Sequence, residues 1–220
     1  MSDIADDTPA PQEGDSAQRM PQLPSRTLPV GSAGERSSGW WGCLTLIVTE
    51  GALFGYLIFS YLYLASQTPQ PWPPEGLPKL GLGLANTALL LLSSVFVWLC
   101  ERCVRRRKAG WGAVSMAVAV LLGIAFVGIQ LREWHTHPYG LTAHLYSSLY
   151  FTITGFHMAH VIVGLIVLVL LGVWTVLGYF DEHRYAALMT GGLYWHFVDV
   201  VWLFIFSTLY LSPYALRSGS

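Results

Sequence analysis

Apolar positions gather into five runs along this chain, at about 40–64, 80–100, 112–131, 144–177 and 189–211, with Pro, Gly and charge concentrated between them. A helix needs about 20 apolar residues to cross a hydrocarbon core of about 30 Å. Four runs fit that length. The fourth is longer and is expected to tilt or to project beyond the lipid. A soluble helical core is the competing use of such runs, but five of them in 220 residues leave too little polar chain to cover them. The pattern predicts an all-α fold: an integral membrane bundle of five transmembrane helices over residues 39–214, preceded by a tail (1–38) and followed by a short one (215–220).

Composition sharpens that expectation. Only 11% of residues are charged, against about 25% in soluble domains. Nine Trp, 11 Tyr and 10 Phe suit aromatic belts at two water interfaces. A formal net charge of −1 gives no global field to recruit nucleic acid. Residues 1–38 hold six acidic and three basic side chains and no apolar periodicity, so disorder is expected there. They show no basic stretch followed by an apolar core, so no signal peptide is read.

Lys and Arg placement sets the expected orientation. Arg102, Arg105, Arg106, Arg107 and Lys108 lie between the second and third runs. Arg184 and the tail residues Arg19, Arg26 and Arg36 fall on the same side, against Lys79, Arg132 and Arg217 on the other. Nine against three puts the N-terminus in the cytoplasm and the C-terminus in the periplasm. The loop Pro69 to Pro78 carries five prolines and is expected to be a stiff, non-helical connection.

The candidate chemistry is a handful of titratable side chains sunk in apolar runs. His196 and Asp199 are three apart, which on a helix places them on one face. His157 and His160 share that spacing. Glu50 lies about ten residues into the first run, roughly 15 Å deep. A charge at such depth costs about 3 kcal/mol or more to insert, so these groups must pair, hydrogen-bond or surrender their charge. A structural glutamate and a role in proton traffic are both open for Glu50. Gly51 and Gly55 form a GxxxG pair that suits close helix approach. Cys100 and Cys103 form a single CxxC at a span's end, and zinc needs four ligands. His135 and His137 occupy an outer loop where solvation is expected. Arg132 and Glu133 at the membrane edge are read, with Trp195 and Trp202, as lipid or subunit contacts. No nucleophile with a positioned base and no phosphate loop is present, so no catalytic residue, metal or cofactor is assigned.

Two long motifs then suggest a family. Thr154-Gly155-Phe156-His157-Met158-Ala159-His160-Val161-Ile162-Val163-Gly164 and Tyr194-Trp195-His196-Phe197-Val198-Asp199-Val200-Val201-Trp202-Leu203-Phe204 resemble sequences of haem–copper (cytochrome c) oxidase subunit III. Thr49-Glu50-Gly51 with Phe54, Trp72-Pro73-Pro74-Glu75-Gly76 and Leu84-Ala85-Asn86-Thr87 are similar to that family in the same order. The resemblance covers roughly residues 40–214 and suggests the five-helix bacterial form. The mitochondrial type has seven spans, and the two absent here would form one arm of its lipid-holding cleft. The resemblance implies a subunit without redox chemistry of its own. Haems and copper would lie in partner subunits I and II. This chain would hold phospholipid, stabilise the catalytic subunit and support proton uptake in a bacterial inner membrane. A protein associated with nitric oxide reductase is the alternative, and a haem-binding electron carrier a third. The Trp-Pro-Pro loop and the intact last-helix motif favour the oxidase.

Overall fold

The computed structural model describes residues 38–68, 72–74, 80–136, 140–180 and 185–214. The readings made for the N-terminal tail, most of the Pro69 to Pro78 loop, Lys79, His137, Arg184 and residues 215–220 lie outside the described residues. Five helices account for nearly all of the rest: α1 (Ser38–Gln67), α2 (Leu80–Arg105), α3 (Ala109–Thr136), α4 (Leu145–Val176) and α5 (Ala186–Phe206). All five are long and apolar enough to span a bilayer, and this is a multi-pass membrane protein. Helices α1, α2 and α3 run a few residues beyond their apolar runs and α5 starts three residues before its own, whereas α4 stays within its run. Backbone bonds of the longer helices continue through the polar headgroup layer after the hydrocarbon requirement is met.

Helices α2 to α5 close a ring: α2 packs on α3, α3 on α4, α4 on α5 and α5 on α2. Short connections make successive neighbours antiparallel. The α2–α3 turn needs only residues 106–108. It is closed by Arg107 N–H to Val104 O (3.0 Å) and Lys108 N–H to Cys103 O (2.9 Å), with Arg107 in the left-handed region at φ 59°. Helix α1 stands outside the ring against α4 and α5 and buries only Phe54 and Tyr61. Helix α5 is the axis of the fold, touching α1, α2 and α4. It runs on into a π-helical turn, Ser207–Leu211.

The core of the ring is built around Trp195, which is fully buried. Its indole is held edge and face by two glycines on neighbouring helices. A Cβ at Gly164 would come within 2.8 Å of the ring, and one at Gly123 within 3.1 Å. The GxxxG pair behaves differently. A Cβ at Gly51 would sit 3.9 Å from Phe197, an ordinary contact, and one at Gly55 would meet nothing within 4 Å. Close helix approach is therefore achieved at Gly123 and Gly164, not at Gly55.

This packing yields a paired prediction. Gly164→Ala should destabilise the purified protein by about 1–3 kcal/mol, the usual cost of overpacking a filled core. Gly55→Ala should stay within about 0.5 kcal/mol. Thermal unfolding midpoints in mild detergent, followed by tryptophan fluorescence, measure both.

Candidate functional site

The polar side chains gather in three separate places, two of them on α5 and one between α1 and α4. In the first, His196 and Asp199 do share one face of α5, and both meet Ser94 of α2: Ser94 Oγ bonds His196 Nδ1 and Asp199 Oδ2. One hydroxyl proton cannot serve both partners. If Ser94 donates to Asp199, His196 must carry its own proton on Nδ1 and donate to Ser94. Asp199 is 3% exposed, and its Oδ1 has no hydrogen-bond partner among the described residues.

In the second, His160 of α4 bonds Glu50 of α1, Nε2 to Oε2 at 3.1 Å. Its Nδ1 lies 2.7 Å from the Phe156 carbonyl one turn back. A carbonyl only accepts, so Nδ1 carries a hydrogen. One further proton then resides either on Nε2, giving an imidazolium beside a carboxylate, or on Glu50, giving two neutral groups. Both arrangements are neutral as a pair, which is how two titratable groups are tolerated on a lipid-facing helix.

In the third, His157 is buried in the ring, its Nε2 donating to the Val198 carbonyl at 3.1 Å. Trp202, Phe126 and Phe54 surround it, with ring centroids 5.0, 6.0 and 6.4 Å away. His157 and His160 are thus neighbours in sequence but serve different partners, and Phe54 lies against both.

Three contact readings are corrected. Trp195 and Trp202 are at 0% and 1% exposure and offer no surface to lipid or to a subunit. Their N–H groups are satisfied inside, by Ser93 Oγ and Thr87 Oγ1, both at 3.0 Å. Glu133 also turns inward. The π-helical turn widens α5 by one residue and carries Tyr210, whose hydroxyl donates to Glu133 Oε1 at 2.6 Å. Arg132, on the other side of the same turn of α3, is exposed.

Other partners were not singled out from the sequence. Ser94 is one, and an isolated serine in a membrane span carries no signal of its own. The amide pair Asn86 Nδ2 to Gln130 Oε1 (3.2 Å), fully buried between α2 and α3, is another. Gln130 stands four residues after Phe126, on the same inward face of α3, and its one signal in the sequence was a polar amide inside an apolar run. Glu101, in the CxxC segment, lies 3.8 Å from Arg105 and packs on Gly192 of α5, where a Cβ would collide with its carboxylate. Both cysteines of that segment are free thiols, Cys100 buried against Gly112. Among the described residues, no three His, Cys, Asp or Glu side chains converge as metal ligands.

Around the Glu50–His160 pair, α1, α4 and α5 leave a cleft of about 780 Å³. Its walls are mostly apolar, including Leu46, Val163, Val167 and Trp174, with Tyr194 beside the histidine. The Tyr194 hydroxyl donates to the His160 carbonyl at 3.4 Å.

The family model described as cytochrome c oxidase subunit III matches residues 36–214, which include every helix. The chain belongs to this family. Among similar proteins, the cytochrome c oxidase subunit 3 of Arabidopsis thaliana is 32% identical over 178 residues, covering 77% of this chain and 67% of the relative. That of Danio rerio is 34% identical over 175 residues, covering 76% and 67%. The protein of the same name from Thermostichus vulcanus is 32% identical over 180 residues, covering 77% and 85%. The chain thus spans about two thirds of the plant and fish relatives and most of the last. All three polar clusters fall inside the matched region.

Four substitutions test this geometry. Ser94→Ala removes the bridge while leaving His196 and Asp199 buried, and should cost about 1–3 kcal/mol of stability. Ser60→Ala, which removes only a bond to its own helix at Tyr56 O, is the neutral control. Glu50→Gln should be mild, because the amide can donate to the unprotonated Nε2 of neutral His160. Glu50→Leu should lose about 1–3 kcal/mol. Thermal midpoints in the same detergent report all four.

Proposed function

We propose that this chain is the accessory subunit III of a proton-pumping terminal oxidase in a bacterial inner membrane, with its N-terminus in the cytoplasm. It assembles with oxidase subunit I, and with subunit II, which together hold the haems and copper. Electrons arrive from cytochrome c or from quinol, and oxygen is reduced to water in the partner. This chain contributes no redox centre. It braces the catalytic subunit, supports proton uptake and holds phospholipid, whose acyl chains suit the apolar cleft beside Glu50 and His160.

The observation that carries this reading is how the titratable side chains are spent. Glu50, His157, His160, His196 and Asp199 are all engaged in bonds between helices, and the family match extends over the whole bundle. A haem ligand needs a free imidazole nitrogen aimed at open space. His157 is 1% exposed and packed among Trp202, Phe126 and Phe54, which leaves no room for a porphyrin, and His160 has both nitrogens occupied. The bias of Lys and Arg, nine against three, supports the orientation.

The deciding experiment is a mild-detergent pull-down of the tagged chain with haem spectroscopy. The expected result is a haem-bearing partner that reduces oxygen, and no haem on this chain once the partner is stripped away. Haem retained by the isolated chain, or a partner that reduces nitric oxide instead, overturns the reading. Asp199→Leu extends the test. It should weaken co-purification or shorten the working life of the complex, while the initial rate of oxygen reduction stays within about twofold, a change of only about 0.4 kcal/mol. An initial rate that collapses in a normally assembled complex would give Asp199 a catalytic task.

A further inference from the structure

Titratable side chains inside membranes face the protein interior or water, and His196 does so with only part of its ring. The apolar helix that begins at Ala186 runs 29 residues to Tyr214, which puts Val200 at its middle. His196 lies one turn from that middle, about 6 Å along the axis. Yet it is only half-buried, as is its partner Ser94. Its face of α5 lies between α1 and α2. Trp195, Asp199 and Trp202 turn towards α2, and Phe197 lies near Gly51 of α1. Between those two sides His196 is left with Val200, Leu203 and Phe204, which are 49%, 37% and 62% exposed.

The imidazole spends one nitrogen. Nδ1 bonds Ser94 Oγ, and Nε2 bonds nothing among the described residues. Unlike Asp199 Oδ1, Nε2 is not enclosed, so it opens on the outer surface of the bundle. The cleft beside Glu50 is elsewhere, and His196 is not among its walls.

The protons available decide what this nitrogen offers. At such depth Ser94, His196 and Asp199 are neutral as a group, so they hold three protons between them. An imidazolium beside an Asp199 carboxylate carries hydrogen on both ring nitrogens. With every member neutral, a proton on Asp199 Oδ1 would be stranded, because that buried atom has no partner among the described residues. A proton on Oδ2 is donated to Ser94, the Ser94 proton goes to Nδ1, and the ring's own proton stays on Nε2. Both satisfied arrangements make Nε2–H a donor aimed outwards. A nitrogen that carries hydrogen is not a metal ligand.

Lipid cannot receive this donor. Acyl chains have no acceptor, and the nearest headgroups begin about 9 Å away, half the hydrocarbon core being about 15 Å. An unmet donor in hydrocarbon is costly. The family match places the chain among the subunits of a larger membrane assembly, and a neighbouring helix is the remaining source of an acceptor.

We infer that the face of α5 between α1 and α2 docks a transmembrane helix of the partner subunit, and that this helix offers His196 Nε2 an oxygen acceptor at mid-membrane, a hydroxyl, carboxamide or backbone carbonyl. The contact rests on the place in an oxidase complex proposed above.

Photocrosslinking tests the face. Val200→p-benzoylphenylalanine puts the probe one turn from His196 on the same exposed side. The full-length chain is irradiated in its native membranes, before any detergent, and then purified by its tag. The expected product, found by mass spectrometry, joins position 200 to a transmembrane segment of the subunit that co-purifies. Adducts with lipid or quinone alone, in a preparation where the partner still co-purifies, overturn the docking face and leave the oxidase reading standing. A preparation without any partner overturns both. Two isosteres then read the hydrogen bond. H196Q keeps an N–H where Nε2 stands, whereas H196N keeps one only where Nδ1 meets Ser94. Per folded chain in mild detergent, H196Q should retain the partner within about twofold. H196N should retain about fivefold less or lower, the scale of one hydrogen bond between membrane helices. H196N holding the partner as well as H196Q does, or H196Q losing it, overturns the contact.

Discussion

A polar side chain inside a bilayer must find its partner in protein, and in this molecule one helix supplies most of those partners. Helix α5 and its π-helical turn present Trp195, His196, Val198 (through its carbonyl), Asp199, Trp202 and Tyr210 to partners on α2, α3 and α4. Each bond between membrane helices is individually modest, averaging about 0.6 kcal/mol. Leaving one partner behind is the larger effect, since an unpaired charge at the bilayer centre costs about 3 kcal/mol or more. The polar contacts therefore act less as glue than as a register. Any rotation or slide of α5 that breaks them strands several groups at once.

Hydrophobic patterning cannot set that register in this fold. The helices are apolar on nearly all sides, as membrane spans must be, so no stripe marks the inward face. Shape takes over part of the task. Trp195 fits where Gly164 and Gly123 leave room for an indole, and its N–H then falls within reach of Ser93. Steric fit and hydrogen bonding thus select the same rotation of α5. Trp202 repeats the arrangement two turns on, with Thr87 as acceptor and His157 against its ring.

The five spans, their approximate limits and the family were legible because length, composition and two long motifs are strong signals. So was the shared face of His196 and Asp199, which depends only on helical spacing. The tryptophans were misplaced because aromatic belts form at the membrane surface, whereas Trp195 and Trp202 lie deeper and find acceptors on another helix. Nothing in a single chain's sequence pairs residue 93 with 195 or 87 with 202. Ser94 was missed for the same reason: its role exists only once α2 and α5 are side by side. Glu133 looked like a surface acid because it follows Arg132 at a helix end, but the wide π turn swings Tyr210 towards it.

The peripheral position of α1 has a different logic. It lies outside the ring, buries little of its length and still carries an acid, a combination that would be costly if Glu50 stood alone. Pairing with His160 resolves this, because the pair is neutral wherever its mobile proton rests. The pair keeps zero net charge whichever group holds that proton, although the ion-pair form carries the larger desolvation cost. A structural anchor and a proton-handling group therefore require the same geometry here. What separates them is whether a proton can enter from outside the pair, and the cleft of about 780 Å³ beside it is where such access would have to arise. Acyl chains filling that cleft would keep the pair dry and leave it an anchor. Water threading between them would give the carboxyl a route for exchange.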